Sequence, residues 1–164
     1  MPLKILSADI TTLKVDAIVN AANTQLAAGG GVCGAIFRAA GHRQLQEACD
    51  KLAPIQTGEA VITPGFNLPA KFIIHTAGPI WRGGSFGEEN LLRNCYTNSL
   101  KLAAENNLKS VAFPLISSGI YGYPPFDALK VAVKAIKDFL KQNDLEVVLT
   151  VLDKLLLDSM ATID

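Results

Sequence analysis

A chain of 164 residues, 49% of them hydrophobic and 18% charged, is too apolar for a disordered segment. It is long enough to bury roughly two-thirds of its unfolded surface, so one folded domain spanning 1–164 is expected. Fifteen basic residues balance fifteen acidic ones, so net charge recruits neither nucleic acid nor an acidic membrane, and an anionic ligand would have to be held by local backbone dipoles.

Residues 4–10 alternate apolar and polar and predict a first strand, with Thr11-Thr12 as a turn or helix cap. A second strand is predicted over 16–20, apolar at its centre as expected when helices cover both faces. A helix follows over 32–40, which Gly41 can stop, then another over 42–53, closed by Pro54. Two strands, 59–63 and 71–76, flank the turn-rich Pro64-Gly65-Phe66-Asn67-Leu68-Pro69. A glycine-rich loop over 78–87 leads into a helix over 88–106, and a fifth strand is expected over 110–116. After Pro124-Pro125, Leu129, Ala132, Val133, Ile136, Phe139 and Leu140 fall on one helical face, with Lys130, Lys134, Lys137 and Lys141 on the opposite, solvated one. A last strand over 146–152 and a terminal helix over 154–161 complete the pattern. Strands alternating with helices imply an α/β fold, a three-layer α/β/α sandwich around a mostly parallel mixed sheet.

The organising stretch is Val19-Asn20-Ala21-Ala22-Asn23 followed by Gly29-Gly30-Gly31-Val32-Cys33-Gly34. Two carboxamides leave a strand end. Three glycines let the backbone take φ > 0 and approach a ligand closely. The N-terminus of the next helix turns unpaired N–H groups and a positive dipole end toward the same loop. The pattern is that of an anion cradle; a flexible surface loop is the plainer alternative. Gly29, Gly31 and Gly34 match G-x-G-x-x-G formally, but they lie too far from the strand and no acid sits near position 54, which excludes a dinucleotide fingerprint. A second glycine loop, Ser117-Ser118-Gly119-Ile120-Tyr121-Gly122, also follows a strand end. Ligands on such sheets sit where these loops converge, so the two loops and Asn20 and Asn23 can share one cleft.

Three cysteines, Cys33, Cys49 and Cys95, are odd in number and contain no C-x-x-C, which argues against a disulfide framework and a zinc knuckle and for a cytoplasmic protein. His42 and His75 are not spaced as a metal pair on one helix. No metal and no cofactor are therefore expected. No apolar run approaches 18 residues, and Met1-Pro2-Leu3-Lys4 does not open a signal peptide, so no membrane association is expected. Balanced charge without a coiled-coil pattern makes a monomer the expected state.

Six segments in order, Asp9-Ile10-Thr11, Val19-Asn20-Ala21-Ala22-Asn23, Gly29-Gly30-Gly31-Val32, Gly65-Phe66-Asn67-Leu68-Pro69-Ala70-Lys71, His75-Thr76-Ala77-Gly78-Pro79 and Pro114-Leu115-Ile116-Ser117-Ser118-Gly119-Ile120-Tyr121-Gly122-Tyr123-Pro124, make the chain resemble the macrodomain family, in its MacroD-type ADP-ribosyl hydrolase branch. The resemblance implies an ADP-ribose cleft. Asp9 and the Ile10 main chain would take the adenine, with Leu152 covering its face where the family often has an aromatic residue. Asn23 would hold the distal ribose, Gly30, Gly31 and Val32 would wrap the ribose and a phosphate, and Ser117, Ser118, Gly119, Ile120, Tyr121 and Gly122 would close over the diphosphate. Asn20 is grouped with the ligand set, although a strand-end Asn more often bonds neighbouring backbone. His75 and Trp81 receive no role.

The implied catalytic set is Asn23, Gly31 and Cys33. Hydrolases of this branch typically carry Asp where this chain has Cys33, and often His at Phe37. General-base assistance of that kind is worth about 10²–10⁴ in rate. Cys33 in the first turn of a helix would have its thiol pKa lowered by the dipole, though a small buried thiol is the more ordinary reading. The expected activity is hydrolysis by water, without metal, of the ester in mono-ADP-ribosylated Asp or Glu or in O-acetyl-ADP-ribose. Partners would then be ADP-ribose derivatives and mono-ADP-ribosylated proteins. The alternatives are a reader that binds ADP-ribose without cutting, and a phosphatase acting on ADP-ribose 1″-phosphate in the same cleft.

Overall fold

The computed structural model describes residues 2–159. Six strands form one mixed sheet: β1 (Leu3–Leu6), β2 (Ala17–Ala22), β3 (Ala60–Pro64), β4 (Phe72–Ala77), β5 (Ser110–Phe113) and β6 (Glu146–Thr150), in the order β1-β6-β5-β2-β4-β3. Every neighbouring pair is parallel except the edge hairpin β3/β4. The helices are α1 (Gly31–Ala40), α2 (His42–Asp50), α3 (Glu88–Glu105), α4 (Pro125–Leu140) and α5 (Lys154–Asp158).

The period of two in the central strands builds the three layers. Ala17, Val19, Ile74, Val111 and Phe113 point to the face covered by α3 and α4, whereas Ile18, Ile73 and Ala112 point to the face covered by α1 and α2. Ile18, Val19, Ile73 and Ile74 are all fully buried, which is why β2 and β4 read as continuous apolar runs rather than as an alternation. The α4 lysines lie on the solvent side, where Asp127 and Asp138 pair with Lys130, Lys134 and Lys141 at 3.1–3.7 Å. No helix among the described residues is long and apolar enough to cross a membrane.

Several element ends differ from expectation, each for a local reason. The first strand stops at Leu6 instead of reaching residue 10, because the Asp9 side chain accepts from the Thr11 N–H and caps a 3₁₀ turn over Ile10–Thr12. The second helix ends at Asp50 rather than 53: the N–H groups of Leu52 and Ala53 both turn back onto the Cys49 carbonyl before Pro54 is reached. The fifth strand ends at Phe113, since Pro114 has no N–H to donate and the Ile116 N–H goes to the Tyr96 hydroxyl. The last strand closes at Thr150, which leaves Leu152 in the following loop. Of the helix expected over 154–161, α5 accounts for the first part, and positions 160 and 161 lie outside the described residues.

Candidate functional site

Five parallel strands run the same way, so the segments after β1, β6, β5, β2 and β4 all emerge at one rim of the sheet. They carry Asp9, Leu152, residues 114–123, residues 23–30 and residues 78–87 respectively. The topology therefore collects the expected site residues along a single edge.

The loop after β2 is held by its own polar groups. Asn23 Nδ2 donates to the Ala27 carbonyl at 2.9 Å, and Asn23 Oδ1 accepts from the Ala27 N–H at 3.0 Å. From α2, Gln46 Oε1 accepts from the Ala28 N–H and Gln46 Nε2 donates to the Leu26 carbonyl. Leu26, at φ 53°, is turned into the core with 1% exposure. Only Gly31 of the three consecutive glycines takes a positive φ, +57°. Gly34 is the other glycine the loop requires, because a Cβ there would stand 2.4 Å from the Gly29 carbonyl oxygen. α1 starts at Gly31, so the N–H groups of Gly31, Val32 and Cys33 are those of a first helical turn and have no partner within the helix.

The loop after β5 is anchored from α3. The buried Tyr96 hydroxyl accepts from the Ile116 N–H at 3.0 Å and donates to the Pro114 carbonyl at 3.3 Å. Ser117 is buried in the left-handed region at φ 69°, and its Oγ has no hydrogen-bond partner. It lies against Gly78, where a Cβ would come within 2.3 Å of that Oγ. The bonds inside the loop use the N–H groups of Gly122 and Tyr123. Among the described residues, the N–H groups of Ser118, Gly119, Ile120 and Tyr121 have no protein acceptor. The two loops meet at the rim: Ile120 Cδ1 lies 3.7 Å from the position of a Cβ on Gly30. Ile120 is 88% exposed, so it spans open space between the loops instead of packing into the core.

Behind the first loop lies a buried polar chain. Thr63 Oγ1 donates to the Pro64 carbonyl at 3.1 Å and so accepts from His75 Nε2–H at 2.9 Å. That leaves Nδ1 of the neutral ring as the acceptor for Asn20 Nδ2, 3.1 Å away, and the same amide nitrogen donates to Cys33 Sγ at 3.8 Å. Burial drives the His75 pKa down to about 4. Cys33 is 6% exposed, with its thiol directed at the Ala27 carbonyl at 3.7 Å. Burial outweighs the Gly29 N–H and the Asn20 side chain and raises its pKa. The lowering expected from the helix dipole is thus overturned, and the thiol is neutral.

At the other end of the rim, Asp9 is exposed, and Oδ1 takes both the Thr11 N–H and the Thr11 hydroxyl, which hold the carboxyl below its usual range. Ile10 is buried beside it, and Leu152 is 71% exposed. Val32 and Tyr121 are half-buried, and Gly29, Gly30, Gly119 and Gly122 are exposed. Asn20 differs from the rest of the expected set: at 1% exposure its carboxamide acts inside the core, on His75 and Cys33. Phe37 is also fully buried, with its ring against His42. A pocket of about 260 Å³ opens beside Tyr121 and Thr24, with Gly78, Arg82, Phe86 and Glu88 in its wall. A larger one, about 360 Å³, lies between α3 and α4 and contains none of the expected site residues.

Sequence reasoning missed Gln46 and Tyr96, which shape the two loops from neighbouring helices, and it left His75 unassigned. The last was within reach, because Asn20 and His75 are direct partners in the β2/β4 ladder and aligning the two strands pairs them.

The Macro domain family pattern matches residues 19–132 of the chain. A macro domain-containing protein of Chlorobaculum tepidum is 58% identical over 135 residues, 82% of this chain and 78% of that protein. An O-acetyl-ADP-ribose deacetylase of Escherichia fergusonii is 53% identical over 147 residues, 87% of this chain and 82% of its own length. Among solved structures, a point mutant of the Oceanobacillus iheyensis macrodomain with ADPR superposes with a TM-score of 0.93 at 41% identity, covering 98% of this chain and 90% of that one. The Trypanosoma brucei macrodomain in complex with ADP-ribose superposes with a TM-score of 0.86 at 37% identity, covering 96% and 66%.

Proposed function

The chain belongs to the macro domain family, and on that premise we propose that its cleft binds ADP-ribose and hydrolyses the ester joining ADP-ribose to an Asp or Glu side chain or to acetate. The observation that carries this reading is the approach of Ile120 over Gly30, which sets two loops rich in unpaired N–H groups face to face. Oriented backbone amides of this kind suit a pyrophosphate and need no cationic side chain. In a chain of net charge zero, such local dipoles stand in for a net attractive field on a doubly charged ligand.

In this reading Gly31, Val32, Ser118, Gly119, Ile120 and Tyr121 supply N–H groups to the two phosphates. Asp9 keeps Oδ2 for the adenine amino group, because its protein bonds both go to Oδ1. Leu152 covers the ring. Asn23 spends one donor and one acceptor on Ala27 and retains one of each for the ribose hydroxyls. Water adds to the ester, the C–O bond breaks, and a ribose hydroxyl and a carboxylic acid are released, without a metal. Cys33 lines the water site, where a neutral thiol offers no general base. Asn20 and His75 fix that thiol from behind.

The same thiol favours one second reading, a reader that retains ADP-ribosylated protein without cutting it. The test is a target mono-ADP-ribosylated on glutamate, with release followed beside Asn23→Ala and Cys33→Asp. Release by the wild type, loss in Asn23→Ala and acceleration in Cys33→Asp are expected. Binding without release would leave only the reader.

A further inference from the structure

Glu88, the first residue of α3, is an acid with 2% exposure and no basic partner among the described residues. Its carboxylate is instead enclosed by backbone. Oε2 accepts from the N–H groups of Arg82 and Gly84, each at 2.9 Å, and Oε1 accepts from the Phe86 N–H at 2.7 Å. Burial pushes the carboxyl pKa up, but the N–H groups of Arg82, Gly84, Glu88 and Phe86 outweigh it and hold the group down at about 2. One charge thus pins three alternate peptides of the loop after β4.

That loop is tied in turn to the second glycine loop. The Trp81 N–H donates to the Tyr121 carbonyl at 2.8 Å, and the Trp81 ring tilts against Tyr123 at 4.6 Å between centroids. Gly84 crosses the same ring so closely that a Cβ on it would stand 2.9 Å from the indole edge. A continuous set of contacts therefore runs from Glu88 through Gly84 and Trp81 to Tyr121. An ordinary helix-start acid interacts with its own helix dipole. Glu89 next to it is also in the first turn, but it is exposed and makes no hydrogen bond to the loop among the described residues.

We propose that Glu88 is a positioning residue for the phosphate loop, holding residues 82–86 so that Trp81 fixes the Tyr121 peptide and presents the N–H groups of 118–121 in a binding geometry. The proposal rests on the reading of the cleft as an ADP-ribose site only for the identity of the ligand. Glu88→Gln keeps the size but puts an NH₂ group where a backbone N–H needs an acceptor.

The test compares wild type, Glu88→Gln, Glu88→Asp and Glu89→Gln by amide hydrogen exchange, by the emission of Trp81, the sole tryptophan, and by calorimetric titration with ADP-ribose. In Glu88→Gln, exchange should accelerate at the hydrogen-bonded amides of 81, 82, 84 and 86 and of 122 and 123 but not in the sheet, and Trp81 emission should move to longer wavelength. ADP-ribose affinity should fall about tenfold, the factor that about 1.4 kcal/mol produces. Glu89→Gln should match wild type. A general loss of stability would raise exchange throughout the chain, so a uniform rise counts against the proposal. A folded Glu88→Gln with wild-type exchange at 81, 122 and 123 and wild-type affinity overturns it. If Glu88→Gln does not fold, Glu88→Asp decides: its shorter stem cannot reach all three N–H groups, so intermediate values are expected and wild-type ones overturn the proposal. Wild type giving no binding heat would remove the ADP-ribose reading, while the exchange data would still judge the coupling.

Discussion

The two glycine positions that bracket the first loop differ in what they permit. A methyl group on Gly34 would stand 2.4 Å from the Gly29 carbonyl oxygen, a contact with backbone that cannot rotate away, whereas one on Gly30 would meet Ile120 Cδ1 at an ordinary 3.7 Å. Gly34→Ala must therefore displace the peptides that face the ligand. We expect it to weaken ADP-ribose binding by about tenfold or more and to cost about 1–3 kcal/mol of stability through overpacking. Gly30→Ala should leave the melting temperature nearly unchanged. Calorimetry and thermal melting on the pair check this, and equal behaviour of the two variants would contradict the assigned roles. Cys33 belongs at the same scale. A first helical turn lowers a thiol pKa, but the sequence favoured a small buried thiol, and the structure agrees: Asn20 and Ala27 surround the sulfur, and burial decides its protonation.

At the scale of elements, the pairing of β2 with β4 sets Asn20 opposite His75 and makes a neutral imidazole part of the core. The folded ring has its pKa lowered from an ordinary 6.5 to about 4, so between these values the unfolded chain binds a proton that the native one does not. Stability from this group is complete above pH 6.5 and is lost as pH falls toward 4. Glu88, held at about 2, loses its contribution only at lower pH, from about 4.5 downward. Urea titrations between pH 6.5 and 4.5 should show a falling free energy of unfolding in wild type and a flatter profile in His75→Gln; equal slopes would refute the assignment. Most elements were legible because buried strands and one-faced helices leave periodic traces, as in the run Ile18-Val19 and in the apolar stripe of α4. Their ends were not. Asp9, Cys49 and Tyr96 each redirect N–H groups in space, which a one-dimensional pattern does not display.

For the whole molecule, the three layers and the mostly parallel sheet followed from the alternation of strands and helices, and parallel strands sharing one rim gather both glycine loops there. Of the candidate site, the gathering of its loops at one rim was legible, Asn23 with Gly31 on one side and Gly119 with Tyr121 on the other. What holds those loops was hidden, since Gln46, Tyr96, Trp81 and Glu88 act from distant parts of the chain through backbone groups. Net neutrality makes the central claim a sharp one, because no net field draws the ligand in and local groups at the rim must attract it. Calorimetric titration of the folded protein with free ADP-ribose tests it most directly. Saturable heat at one ligand per chain is the predicted result; no heat and no saturation in a sample shown to be folded would contradict it.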